Sequence, residues 1–290
     1  MKIMLFPKLQ NKITLGTIFL LCTATLGGLE PIVAKLILEN NEPMQVQFMR
    51  LSIAAVLLLP FLFTKPLRRL TKKQVFQIIL LGFLGTGVAS SLYYFGLKYT
   101  TSLSASLLQY SYPFLVFVLA YLFLQEKITI KKIVSALLIV SGILLIFLPS
   151  FTVEESTRTL GNLLALGAMV VWAIWIILAK SFVKDIPPEI LAASGFIIGL
   201  IPVTVYLKGL IIPIFTLPMF LLGVIIALFW LSYFKGLKYI TAAKATVIES
   251  SAPFFTAVFT ILILMKIPSF YEIGAVFLVI PGLLILAKEE

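Results

Sequence analysis

The sequence reads as an all-α integral membrane protein: ten transmembrane helices arranged as two inverted five-helix repeats. Three observations carry that reading. Of the 290 residues 61% are apolar or aromatic and only 12% are charged, with a mean hydropathy of +1.11, whereas soluble domains carry about 25% charged residues. The cations are unevenly distributed between alternate loops, and the second half of the chain echoes the first.

A bilayer-spanning helix takes roughly 20 apolar residues, so ten would use about 200 and leave only short loops. No separate soluble domain fits. Apolar runs between charged punctuation place spans near 14–38, 44–64, 74–97, 101–124, 130–149, 160–182, 190–208, 216–238, 241–264 and 270–287. The first run follows Lys2, Lys8 and Lys12 and contains Thr23-Ala24-Thr25, a pattern shared with secretory leaders. Its 25 residues are nonetheless long enough to remain as a span. Cys22 has Leu21 before it, where a lipidation signal would carry a small residue.

The formal charge of +11 would point to an acidic partner in a soluble chain. Here it follows the positive-inside pattern instead, and no nucleic-acid partner is expected. With the N-terminus in the cytoplasm, inner loops hold 17 Lys and Arg and outer loops hold 4, namely Lys98, Arg158, Lys208 and Lys266. Both termini are therefore expected in the cytoplasm, with the chain in the plasma membrane. Its lone cysteine and lack of histidine exclude an intrachain disulfide, His-based catalysis and the common zinc sites. Neither a cofactor nor a metal is expected.

Gly96-Leu97-Lys98-Tyr99 recurs as Gly236-Leu237-Lys238-Tyr239. The register continues through Thr101/Thr241, Ala105/Ala245, Pro113/Pro253, Phe114/Phe254 and Gly142/Gly282. Earlier, Thr14-Leu15-Gly16 returns as Thr159-Leu160-Gly161, Ala34-Lys35 as Ala179-Lys180, and Pro43 as Pro188. The expected units are residues 1–149, a linker over 150–158, and 159–290. Five spans per unit is an odd number, so the second unit enters the membrane in the opposite sense. Inverted repeats mark secondary transporters, in which two halves exchange roles around a central site. The plainer alternative is a duplication that merely enlarges an anchor.

On these residues the chain resembles the EamA-type branch of the drug/metabolite transporter superfamily. The resemblance covers nearly the whole chain and rests on Gly96-Leu97-Lys98-Tyr99-Thr100-Thr101-Ser102, Ala105, Leu107-Leu108, Pro113, Leu124-Gln125-Glu126-Lys127 and Gly142-Ile143-Leu144. Pro43 followed by Arg50 also matches, as do Gly161 and Trp172-Ala173. The similarity implies ten helices in two inverted repeats, a central cavity lined by spans 1, 3, 4, 6, 8 and 9, and alternating access for small metabolites. Lys266 departs from the pattern, standing where the second copy commonly carries the acid seen here at Glu126.

Charges inside a bilayer cost about 2.5–3.5 kcal/mol or more, so the intramembrane ionisable residues are functional candidates. Lys35, near the outer end of span 1, can snorkel. Arg50 can pair with a carboxylate or reach headgroups. Glu30 and Glu249 have short stems and apolar neighbours, and are expected as two separate polar stations at different depths. Repeat symmetry sets Gln109 opposite Glu249 in role and Trp175 opposite Glu30.

Pro31, Pro113 and Pro253 are expected as kinks inside helices, freeing the carbonyls of Gly27, Gln109 and Glu249. Such carbonyls survive at membrane depth only beside protein or a watery cavity. Trp172, Trp175 and Trp230 fall mid-span rather than at the interfaces, with Tyr93, Tyr94, Tyr110, Tyr112 and Tyr233. They are candidate cavity lining, as bundle packing is the alternative for each. Ser250, with Ser111 and Ser251, can add a hydroxyl. Gly82, Gly85 and Gly87 read as close helix packing.

The expected function is therefore secondary transport of small metabolites, amino acids foremost and in the export direction, with proton coupling through Glu249 or Glu30. The solute and the lipid bilayer are the expected partners; a homodimer is left open. A lipid flippase on the same fold is the alternative. A membrane enzyme is disfavoured, because such chemistry usually uses aspartate clusters or a metal, and the one aspartate is Asp185. No phosphate-binding loop or dinucleotide fingerprint is present.

Overall fold

The computed structural model describes residues 5–63, 70–115, 118, 129–148, 156–182, 186–207, 215–240, 245 and 248–287. Most of the expected linker, the Gln125-Glu126-Lys127 loop, Asp185, the second half of span 4 and most of the first half of span 9 lie outside the described residues. Among the described residues the chain is wholly helical. Its elements are α1 (Leu5–Leu38), α2 (Pro43–Phe63), α3 (Lys72–Tyr99), α4 (Ser102–Gln109), α5 (Ile130–Phe147), α6 (Ser156–Phe182), α7 (Pro188–Tyr206), α8 (Leu217–Tyr239), α9 (Ala252–Leu264) and α10 (Phe270–Ala287). Seven have stretches long and apolar enough to cross a membrane, whereas α4, α9 and α10 fall short within those bounds.

Hydroxyl residues begin many of these helices. Thr71, Thr101, Thr129 and Thr216 each accept a hydrogen bond from the backbone N–H three residues on, meeting a donor that has no partner inside the helix. Ser269 and Glu272 bond reciprocally at the start of α10, as Thr71 and Gln74 do at α3.

The helices pack as two interlocked copies. Helix α1 lies against α8 and α9, and the equivalent α6 lies against α3 and α4; α2 crosses α7, and α5 crosses α10. The shared glycines sit at these crossings. A Cβ built on Gly16 falls 2.8 Å from the Tyr239 Cβ, and one on its repeat mate Gly161 falls 2.8 Å from the Thr100 backbone nitrogen. Gly142 and Gly282 play the same part between α5 and α10. Small residues let backbones approach where lipid offers no hydrophobic drive for helix association. Large apolar side chains on the rim, including Val56, Leu137, Ile201 and Phe277, face outward, as a lipid-facing surface requires.

Helix α3 departs from a uniform span. Its middle, Gly82–Ala89, is π-helical. The wider turn presents carbonyls to neighbouring helices: the Trp175 indole N–H donates to Leu81 at 2.9 Å, and the Gln47 amide donates to Thr86 at 2.8 Å. Gly82 and Gly87 pack on α7, with Cβ positions 2.8 Å from Ile198 and 3.0 Å from Pro202, and a Cβ on Gly85 would lie 2.6 Å from the Trp175 nitrogen. The expected close packing is present, with a local change of helix type that glycine and Thr86 accommodate.

Pro113 and Pro253 do not kink continuous helices. Both spans are broken just before them. Helix α4 ends at Gln109, turns through Tyr110 and Ser111, and resumes over 112–115; Ser250 and Ser251 turn immediately before α9. The Ser111 N–H donates to Leu108 and the Ser251 N–H to Ile248, while Phe114 and Phe254 donate to the two serine carbonyls. Each proline thus sits in a first helical turn, where a missing N–H costs nothing. Pro31 alone of the three lies inside a helix.

Candidate functional site

Two polar groups face each other across the middle of the bundle. On one side Arg50 of α2, 4% exposed, forms an ion pair through Nη1 with Glu30 of α1. Arg50 Nε donates to the Gln47 side-chain oxygen at 2.6 Å, and the guanidinium lies 4.3 Å from the centre of the Tyr94 ring. The Tyr94 hydroxyl donates to Glu30 at 3.1 Å. Gln47 is fully buried and tied to the π-helical carbonyl of Thr86, so three helices hold the guanidinium. On the other side Glu249, 1% exposed, accepts from the Tyr112 hydroxyl at 2.7 Å and pairs with no cation among the described residues.

One cavity reaches both. Its empty space, mouth included, is about 550 Å³. Glu30, Gln109, Tyr110, Trp172, Trp230 and Glu249 line it as expected, joined by Gly27, Arg50, Ala89, Ser90, Tyr93 and Phe229. The carboxylates expected at separate stations therefore line a single chamber. The half-helix breaks explain why. By turning at 110–111 and 250–251, the chain aims Gln109 and Glu249 inward from related positions, and Gln109 Oε1 is buried there with no hydrogen-bond partner among the described residues. Such an orphaned acceptor is costly unless a guest or water answers it.

The other candidates stand further off. Tyr94 is wholly buried behind Glu30. Trp175 stacks on Trp172 at 4.8 Å but lines a second, smaller cavity with Leu81, Gly82, Thr86, Leu191, Gly195 and Phe234. Trp230 borders both cavities, so the aromatic cluster divides them. Tyr233 stacks on Phe229 and packs against Trp230 without lining either. Ser250 is buried in the break before α9 rather than on the wall. Lys35 plays a structural part: its ammonium donates to the carbonyls of Leu97, Lys98 and Thr100, closing the C-terminal end of α3.

A paired ion, an isolated carboxyl group, an orphaned amide oxygen and aromatic faces, set between two interlocked repeats, form a chamber for a small polar solute. A family model describing EamA-like transporters matches residues 14–148 and again 159–288. The chain belongs to the EamA-like transporter family. Each match covers one five-helix repeat.

Among relatives, the uncharacterized transporter YetK of Bacillus subtilis is 32% identical over 157 residues, covering 53% of this chain and 48% of YetK. The uncharacterized inner membrane transporter YhbE of Escherichia coli is 28% identical over 194 residues, covering 63% and 60%. A WAT1-related protein of Arabidopsis thaliana, At5g13670, is 32% identical over 143 residues, covering 45% and 37%. The chain spans about half the length of the curated relatives it matches. A crystal structure superposes with a TM-score of 0.66 over 97% of this chain and 98% of that one, at 16% identity, which shows a shared fold.

The inclusion of Phe229 and the Ala89-Ser90 edge of α3 was not legible in the sequence. Arg50 carried a signal in being a cation inside a span; Phe229 and Ala89 carried none, because apolar residues at a cavity wall look like apolar residues in a core.

Proposed function

We propose that this EamA-like transporter is a secondary carrier that moves small metabolites, amino acids foremost, out of the cell by alternating access. The two repeats rock about the central chamber so that it opens to one side at a time. The observation that carries this reading is the single cavity lined by both the Glu30–Arg50 pair and Glu249. Membership in the family supports transport, and the lysine and arginine asymmetry supports cytoplasmic termini in the plasma membrane.

Glu249 is the coupling group in this scheme. A buried carboxyl group with one hydrogen bond and no cation among the described residues can take up a proton while the chamber faces one side and release it while the chamber faces the other. Purified protein in proteoliposomes should show counterflow of a radiolabelled amino acid, and an imposed pH gradient should drive its accumulation. Glu249→Gln should abolish the response to the gradient. Unchanged uptake and unchanged pH response in that variant overturn the coupling assignment. Absence of counterflow for every soluble metabolite, with lipid movement in its place, overturns the carrier reading in favour of a flippase.

A further inference from the structure

We propose that the Glu30–Arg50 pair is an internal substitute for the solute, and that the chamber consequently selects zwitterions, seating their carboxylate on Arg50 and their ammonium on Glu30. The proposal rests on the reading of this cavity as the solute site and adds the chemical class that fits it.

The two partners are held unequally. Arg50 is anchored from behind by Gln47, itself fixed to the Thr86 carbonyl, and is backed by the Tyr94 ring. Glu30 has one further bond, from the Tyr94 hydroxyl at 3.1 Å, and is the more exposed of the pair, with 16% of its side chain accessible against 5% for Arg50. It also precedes Pro31, which removes the backbone N–H that would have bonded to Gly27. Helix α1 is thus weakened where the carboxylate is carried, whereas α2 is reinforced where the guanidinium is carried. A fixed guanidinium fork with a displaceable carboxylate is a receptor for another carboxylate.

Charge balance then chooses the guest. Removing one member of a buried ion pair is strongly unfavourable when nothing replaces it. With Glu249 carrying its proton, an anion alone would take Arg50 and strand Glu30, and a cation alone would take Glu30 and strand Arg50. A neutral solute would meet a pair already satisfied. Only a molecule carrying both charges a few bonds apart exchanges one pair for two.

The chain's three tryptophans, Trp172, Trp175 and Trp230, lie in one cluster, and two of them face the chamber. Intrinsic fluorescence therefore reads the chamber and the smaller cavity beside it, and a signal belongs to the chamber when Glu30→Gln or Arg50→Gln alters it. The probes are the non-aromatic amino acids, each compared with its amide, which is a cation, and its N-acetyl form, which is an anion. With wild-type protein in nanodiscs, at least one free amino acid should bind tenfold or more tightly than both of its derivatives. Glu30→Gln should raise the affinity for the matching N-acetyl anion about tenfold, because no carboxylate is stranded. Arg50→Gln should weaken the amino acid at least tenfold while sparing the amide, which still finds Glu30. Thermal unfolding confirms that each variant is folded, and Glu30→Gln alone decides the question if Arg50→Gln is not.

Equal binding of the three forms, or variants that shift all three alike, overturns the proposal. So does a singly charged or neutral solute whose titration and counterflow ignore both substitutions, an outcome that leaves the carrier reading intact. If no soluble compound is bound or exchanged, both fail.

Discussion

At the scale of single residues, the decisive contacts lie at glycines pressed against backbone. A Cβ on Gly28 would come within 2.9 Å of both the Ala252 carbonyl oxygen and the Thr256 nitrogen, where α1 crosses α9. Backbone in a packed helix cannot give way as a side-chain tip can, so Gly28→Ala should cost about 1–3 kcal/mol. Gly195, with nothing within 4 Å of its Cβ position, is the control. Gly195→Ala should be neutral or gain up to about 1 kcal/mol from helix propensity. Thermal unfolding in detergent compares the two, and equal melting temperatures would refute the crossing geometry. Residue identity exposed Glu30 and Glu249 in advance, because a carboxylate in an apolar run demands an explanation. It offered Arg50 a carboxylate without saying which, and did not join Tyr112 to Glu249. Arg50 and Tyr112 reach them from other spans, and which faces meet depends on crossings that no local pattern encodes.

Among the elements, the ten spans were legible as lengths of apolar chain, but their internal departures from regularity were not. Proline at 113 and 253 read as a kink because each stood inside a long hydrophobic run. The serine turns at 111 and 251 break the run first, which changes what the prolines cost. A proline in a helix interior costs about 3 kcal/mol, so replacing it there should be strongly stabilising. In a first turn the lost N–H had no helical partner. Pro113→Ala and Pro253→Ala should therefore alter unfolding stability by less than about 1 kcal/mol. A gain near the interior value in either variant would mean that the span is one continuous kinked helix. The π-helical Gly82–Ala89 was hidden for a related reason. Its glycines announce close packing, whereas the partners of the carbonyls of Leu81, just before it, and Thr86, within it, are Trp175 and Gln47 from two other helices.

For the molecule as a whole, inversion of the repeats follows from where one helix is touched at its two ends. The Lys35 ammonium, late in α1, binds the carbonyls of Leu97 and Lys98, while Gly16, early in α1, packs against Tyr239 beside Lys238. Nineteen helical residues separate these contacts, a rise of about 28 Å, close to the roughly 30 Å hydrocarbon thickness of a bilayer. Lys98 and Lys238 hold the same place in the repeated Gly-Leu-Lys-Tyr segment yet stand at opposite ends of the bundle. In a Cys22→Ser background, Lys98→Cys should react with a membrane-impermeant maleimide on intact cells, and Lys238→Cys only after the membrane is opened. Lys98 does pair with Glu42 at 2.9 Å, but that pair is solvent-facing. Its loss should cost no more than about 1 kcal/mol, so the variant stays folded. Labelling of both positions from one side would place the two repeats in the same sense. The chamber would then have no symmetry-related pair of openings to alternate between, and the transport mechanism proposed for it would fail with the topology.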